Sequence, residues 1–93
     1  MKPLTVLKRS DQATAQVVAG EAILIHLASG TYYSLNAIGT EFWEMLDGQR
    51  TIADCAQRIA DTYDVDRAMV VADLIELAVE LTAEALLEEP DRP

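Results

Sequence analysis

The stretch that decides the fold is Gly30-Thr31-Tyr32-Tyr33-Ser34-Leu35-Asn36-Ala37-Ile38-Gly39. Its first half is aromatic and β-branched, which favours a strand. Asn36 is a favoured N-cap, and the residues after it carry helical periodicity, so strand becomes helix at that residue. Working upstream, Ala28-Ser29-Gly30 is a turn signal, and before it Ala22-Ile23-Leu24-Ile25-His26-Leu27 is branched, apolar and short for a helix. The two runs make a hairpin. Ala19-Gly20-Glu21 marks a second turn, preceded by a strand near residues 14–18. Three strands therefore form a small antiparallel meander. Leu4–Lys8 alternates weakly, enough to pair at its margin or fray. Along the last strand Tyr33 and Leu35 share one face, Tyr32 and Ser34 the other. So small a sheet needs a helical layer over it.

Downstream the pattern is helical. Ile38, Phe42, Met45 and Leu46 recur at helical spacing beside Trp43, and Asp47-Gly48 is expected to end this first helix with Gly48 as a left-handed cap. Thr51 opens the second helix, with Asp54 three residues on in the place of a capping-box acid. Its apolar stripe is Ile52, Cys55, Ala56, Ile59 and Tyr63. Asp66 caps a third helix, read over Arg67 to Leu87. One stripe there holds Val70, Leu74, Leu77 and Leu81, and an adjacent one holds Val71, Ile75, Ala78 and Val79. A surface helix usually needs one apolar face about 100° wide. This helix has more, so it is unusually buried or one stripe faces a groove that something else fills. Periodicity does not say which stripe faces the core.

The chain has 93 residues, 51% apolar, with four Gly and three Pro, which is the composition of one globular domain. Residues 1–13 are expected as a partly ordered segment, 14–88 as the domain and 89–93 as a disordered tail. Sixteen acids against seven bases give a net charge of −9, and fourteen of the acids fall in residues 36–93. That excludes a nucleic-acid partner, whose phosphates need Lys and Arg, and disfavours an anionic membrane surface. No apolar run approaches the roughly 20 residues that span a bilayer, and the N-terminus lacks signal-peptide features. A cytoplasmic location is expected.

No catalytic constellation is present. His26 sits in a strand with no Ser or Cys partner in a recognisable motif. Cys55, the one cysteine, lies on an apolar stripe and reads as a buried small hydrophobe. Asp61, Asp64 and Asp66 lack the loop length, Gly and Glu of a calcium loop. No enzymatic activity, no cofactor and no metal site are expected.

Three strands followed by three helices define an α+β, winged-helix-like layout. Gly30-Thr31-Tyr32-Tyr33-Ser34-Leu35-Asn36, Phe42-Trp43-Glu44-Met45-Leu46-Asp47-Gly48, the helix opening at Thr51, and Asp73-Leu74 ahead of Glu84-Ala85-Leu86-Leu87 follow one another in an order that resembles the PqqD-like family over residues 14–88. One departure is Ala85, where the family usually has Gly. The resemblance implies a free-standing RiPP recognition element, a peptide chaperone that binds the leader segment of a ribosomally made precursor. It would deliver the precursor to a partner enzyme. Lasso-peptide biosynthesis, with a leader-cleaving protease as partner, is the favoured setting. A radical SAM enzyme, as in pyrroloquinoline quinone formation, is the alternative. The resemblance further implies that the leader adds an antiparallel strand to the third strand, Thr31, Tyr32, Tyr33, Ser34 and Leu35. Its side chains would enter a groove floored by Val70, Leu74, Leu77 and Leu81. Tyr33 would be an aromatic wall, and Asp73 a rim charge for a basic leader residue.

Three other readings compete. A DNA-binding winged helix is disfavoured by the acidity of the second and third helices, and an enzyme by the missing constellation. A structural dimer without peptide ligand is the third. An open strand edge beside exposed leucines also invites self-association, so a homodimer is expected when peptide is absent. Leu74→Glu or Leu77→Glu would separate adaptor from dimer, on the expectation that the fold survives either change.

Overall fold

A computed structural model describes residues 1–90. It contains β1 (Val6–Arg9), β2 (Ala13–Val18), β3 (Glu21–His26), β4 (Tyr32–Ser34), α1 (Ala37–Met45), β5 (Asp47–Thr51), α2 (Ile52–Tyr63), α3 (Arg67–Ala83) and β6 (Leu87–Glu88). The fold is α+β, with the three helices and the meander expected from the sequence. A second antiparallel sheet joins them. Of the expected tail, residues 91–93 lie outside the described residues.

The meander has the order β2-β3-β4. Val18 pairs with Glu21 across a two-residue turn in which Ala19 and Gly20 both take positive φ, 53° and 80°. That geometry matches the right-handed twist of the flanking strands. Alternation along β3 buries Ala22 and Leu24 and leaves Ile23 and Ile25 on the open face. β4 pairs with β3 through Ile23–Ser34, Leu24–Tyr33 and Ile25–Tyr32. The sheet is pinned to α1 at one buried point, where the Ala22 N–H donates to Thr40 Oγ1 at 2.8 Å.

The second sheet, β5-β1-β6, joins the start, middle and end of the chain. The segment read as weakly alternating is β1, and Leu7 is fully buried. Before it, the carbonyls of Pro3 and Thr5 accept from the N–H groups of Ala53 and Ile52, two of the four donors that a helix start leaves without intrahelical partners. The expected helix stop at Asp47-Gly48 is corrected here. α1 ends at Met45, and Gly48 takes φ +83° within β5. Asp47 Oδ1 accepts from the Gln49 and Arg50 N–H groups at 2.9 and 3.0 Å, which bends the strand where its register with β1 shifts.

Asn36, Thr51 and Asp66 cap the three helices as their positions predict, and Thr51 and Asp54 form the full capping box. The core packs Leu7, Leu24, Phe42, Leu46, Ile52 and Ile59 against Leu74 and Leu81. α3 ends at Ala83, four residues before the expected stop. The Leu86 N–H reaches the Leu81 carbonyl and the Ala85 N–H the Thr82 carbonyl, the paired bonds of a Schellman motif. Ala85 occupies its left-handed position at φ 58°. A Cβ in that region costs roughly 1–2 kcal/mol. Ala85→Gly is therefore expected to stabilise the protein by about 1 kcal/mol, read as a higher urea midpoint at unchanged slope.

Candidate functional site

The candidate site lies where β4 faces α3. β4 has β3 on one side and, among the described residues, no strand on the other. In this ladder the Leu35 N–H donates to Ala22 and the His26 N–H to Thr31, so the residues bonded to β3 are Thr31, Tyr33 and Leu35. By the alternation of antiparallel pairing, Tyr32 and Ser34 turn their N–H and C=O groups to the open edge. The Tyr32 side chain is 72% exposed. The strand is kept short at both ends. Ser29 Oγ takes the Thr31 N–H, and Asn36 Oδ1 takes the Gly39 N–H to start α1.

Between β4 and α3 is a hollow of about 370 Å³, lined by Tyr33, Ser34, Leu35, Asn36, Ile38, Gly39, Asp73, Leu74 and Leu77. The structure thus brings together six of the residues singled out from the sequence: Tyr33, Ser34, Leu35, Asp73, Leu74 and Leu77. Thr31 and Tyr32 lie beside them on the strand. Val70 and Leu81, expected on the groove floor, are instead turned into the core at 6% and 0% exposure. The reason is the helical angle. Ala78 is also fully buried, so the core-facing line of α3 runs through Val70, Leu74, Ala78 and Leu81. Leu77 falls at the groove edge of that line. The other stripe, Val71, Ile75 and Val79, lies on the far flank, with Val79 exposed.

Tyr33 bridges the two walls. Its ring packs against the core and its hydroxyl donates to Glu80 Oε2. That bond, then burial and the nearby Glu80, Glu76 and Glu84 carboxylates, raise the tyrosine pKa above its ordinary value of 10.0. The same carboxylates make this end of the groove acidic. Glu80 escaped the sequence reading as a site residue, although it follows Asp73 by seven residues and so shares its helical face. Ile38 and Gly39 gave no such signal, because a helix start reads the same whether it faces solvent or a groove.

Elsewhere the chemistry is structural. Cys55 is fully buried, and burial pushes its thiol up to about 11, so it stays protonated near neutrality. His26 Nδ1 accepts from the Ser29 N–H at 3.3 Å in the β3–β4 turn. Asp61 accepts from Gln57, Asp64 is the left-handed C-cap of α2, and Asp66 caps α3. Among the described residues no three His, Cys, Asp or Glu side chains gather to hold a metal ion. None of the described helices is long and apolar enough to cross a membrane. A hollow of about 410 Å³ along α2 is larger, but its lining of Met45, Arg50, Asp54, Gln57, Arg58 and Asp61 is mostly charged or polar and gives an apolar side chain little to pack on.

Residues 21–87 match the family described as Coenzyme PQQ synthesis protein D (PqqD), and the chain belongs to it. Among solved structures it is similar to TbiB1 in complex with the TbiA(beta) leader peptide, at TM-score 0.80 and 32% identity. That match covers 91% of this chain and 99% of that one. Lasso peptide synthetase B1 complexed with its leader peptide shares the fold at TM-score 0.78 and 21% identity, over 88% and 96% of the two chains. So does the PqqD truncation of Methylobacterium extorquens PqqCD, described as a stand-alone RiPP recognition element. Its TM-score is 0.75 at 21% identity, over 96% and 100%. A search of curated proteins gives no significant match.

The Tyr33–Glu80 contact has a pH signature. A tyrosine whose pKa is raised on folding holds its proton more tightly in the native state. Its contribution is complete below the unfolded pKa and is lost as pH rises through the higher folded one. Wild-type stability is therefore expected to fall more steeply above about pH 10 than that of Tyr33→Phe, measured by urea unfolding across that range.

Proposed function

We propose that this chain is a non-catalytic, cytoplasmic adaptor that binds the leader segment of a ribosomally synthesised precursor peptide. It passes the peptide to a leader-cleaving protease in lasso-peptide biosynthesis. The observation that carries this reading is the open edge of β4, with Tyr32 and Ser34 offering main-chain groups beside a hollow walled by Tyr33, Leu74 and Leu77. An extended peptide that adds a strand there gains main-chain bonds for affinity and side-chain pockets for selectivity. The 32% identical TbiB1, solved with a leader peptide, supports the same reading.

Magnitudes divide the work. Two residues offer four main-chain bonds, worth about 4 kcal/mol together at the usual net value. A micromolar complex needs about 8 kcal/mol, and ordering an extended peptide adds to that need. Main-chain pairing alone is too weak, so an apolar leader side chain in the hollow must supply much of the rest. Burying one Leu-sized side chain contributes about 2–3 kcal/mol. In this reading Thr31 to Leu35 form the pairing edge, Leu74 and Leu77 the apolar wall, and Asp73 the rim charge. Val70 and Leu81 support that wall from the core.

Leu74 is 2% exposed, so a Glu there would cost the fold, and Leu77 carries the test instead. The probe is a labelled leader peptide from a precursor encoded beside this gene. Fluorescence polarisation is expected to show saturable binding to the wild type and at least tenfold weaker binding to Leu77→Glu and to Ser34→Pro, a reduction of about 1.4 kcal/mol or more. Circular dichroism should be unchanged in both. Proline at Ser34 removes an edge N–H and leaves the bonds to β3 in place. Equal binding by both variants would sink the reading. Light scattering on the same samples is expected to show a dimer that the peptide dissociates, and a monomer throughout would remove the self-pairing part.

A further inference from the structure

We propose that the groove reads its peptide in one direction: an apolar side chain first, then a lysine or arginine two residues later on the same face. The proposal rests on strand addition to β4 and specifies what that strand must carry.

The direction follows from the sheet. Both ladders of the meander are antiparallel, and antiparallel pairing is the more stable continuation. An added strand therefore meets Leu35 before Tyr33. Main-chain bonds at Ser34 and Tyr32 place the peptide residues opposite those two on the outer face. The residues opposite Leu35 and Tyr33 then point inward, two apart. The first enters the hollow among Leu35, Ile38, Leu74 and Leu77. The second arrives beside Tyr33 and the carboxylate that holds its hydroxyl.

Spacing matches the two positions to different parts of α3. From Leu35 back to Tyr33 is about 6.6 Å along a strand at roughly 3.3 Å per residue. From Leu77 forward, Glu80 lies about 4.5 Å and Glu84 about 10.5 Å along the helix at roughly 1.5 Å per residue. Tyr33, opposite the second inward residue, is tied to Glu80, so that position lies beside the Glu80 end of α3, and the first lies beside the Leu74–Leu77 stretch. Both carboxylates lie close enough to Tyr33 to perturb its hydroxyl, as does Glu76. A cation there gains from these carboxylates and from the tyrosine ring face, whereas an Asp or Glu meets like charge. The hollow at the first position is walled by Leu35, Ile38, Leu74 and Leu77, with the exposed Asp73 at its rim, and takes an apolar group.

The test sorts a displayed library of random peptides, each about twenty residues long, against the labelled full-length chain. The expected consensus is Leu, Ile, Val, Met or Phe followed at the second position after it by Lys or Arg. In one selected peptide, exchanging that basic residue for Glu should weaken binding about tenfold. With the double variant Glu80→Gln, Glu84→Gln the same exchange should cost about threefold or less. Glu80→Gln keeps an acceptor for Tyr33, and Glu84→Gln alone is the control if the double variant folds poorly. A consensus that is neutral or acidic at the second position, or that places the basic residue before the apolar one, overturns the proposal and leaves the adaptor reading intact. A sort that enriches no peptide overturns both.

Discussion

Ala22 is the joint on which the rest of the structure depends. Its N–H is taken by Thr40 of α1, and its carbonyl accepts from Leu35, where β4 runs into the cap of α1. These two bonds help to hold a three-stranded sheet, too small to stand alone, against the helical layer, where Ala22 and Leu24 are buried. They also set the position of β4, which is bonded to β3 on one side, tied to α3 through Tyr33 and Glu80, and unpaired on the other side. An unpaired strand is normally a liability. Here it is short and flanks an apolar hollow, so the constraint that anchors the sheet also creates the candidate site.

Much of this was legible from the residues. Ala19-Gly20 and Ser29-Gly30 mark the turns, and the alternation of Ala22 and Leu24 with Ile23 and Ile25 marks a half-buried strand. Asn36, Thr51 with Asp54, and Asp66 mark the helix starts, because each cap acts through its own side chain within two or three residues. The second sheet was not legible. Asp47–Thr51 has no apolar alternation, and β6 is two residues long. Their strand character comes from pairing with β1 across long stretches of chain, which no local pattern encodes. The end of α3 was missed for a related reason. Ala85 takes a left-handed conformation between the buried Leu81 and Leu86, and alanine itself carries no signal for that, although it stands where the family usually has Gly.

The groove was half legible. α3 is apolar around most of its circumference, and periodicity marked that excess without choosing a side. The choice is made by packing. Ala78 is small enough to sit fully buried, which rotates Val70, Leu74 and Leu81 inward and leaves Leu77 and Asp73 at the β4 edge. Acidity has a local meaning in this light. Three of the carboxylates that disfavour a nucleic-acid partner, Glu76, Glu80 and Glu84, also lie near Tyr33, where they give one end of an apolar groove a negative charge.

Whether β4 accepts a peptide strand can be read residue by residue from amide hydrogen exchange with and without a saturating leader peptide. New protection is expected at the Tyr32 and Ser34 amides, with little change at Tyr33, whose amide already faces β3. Saturable binding that leaves Tyr32 and Ser34 exchanging at their free rates would contradict strand addition to β4.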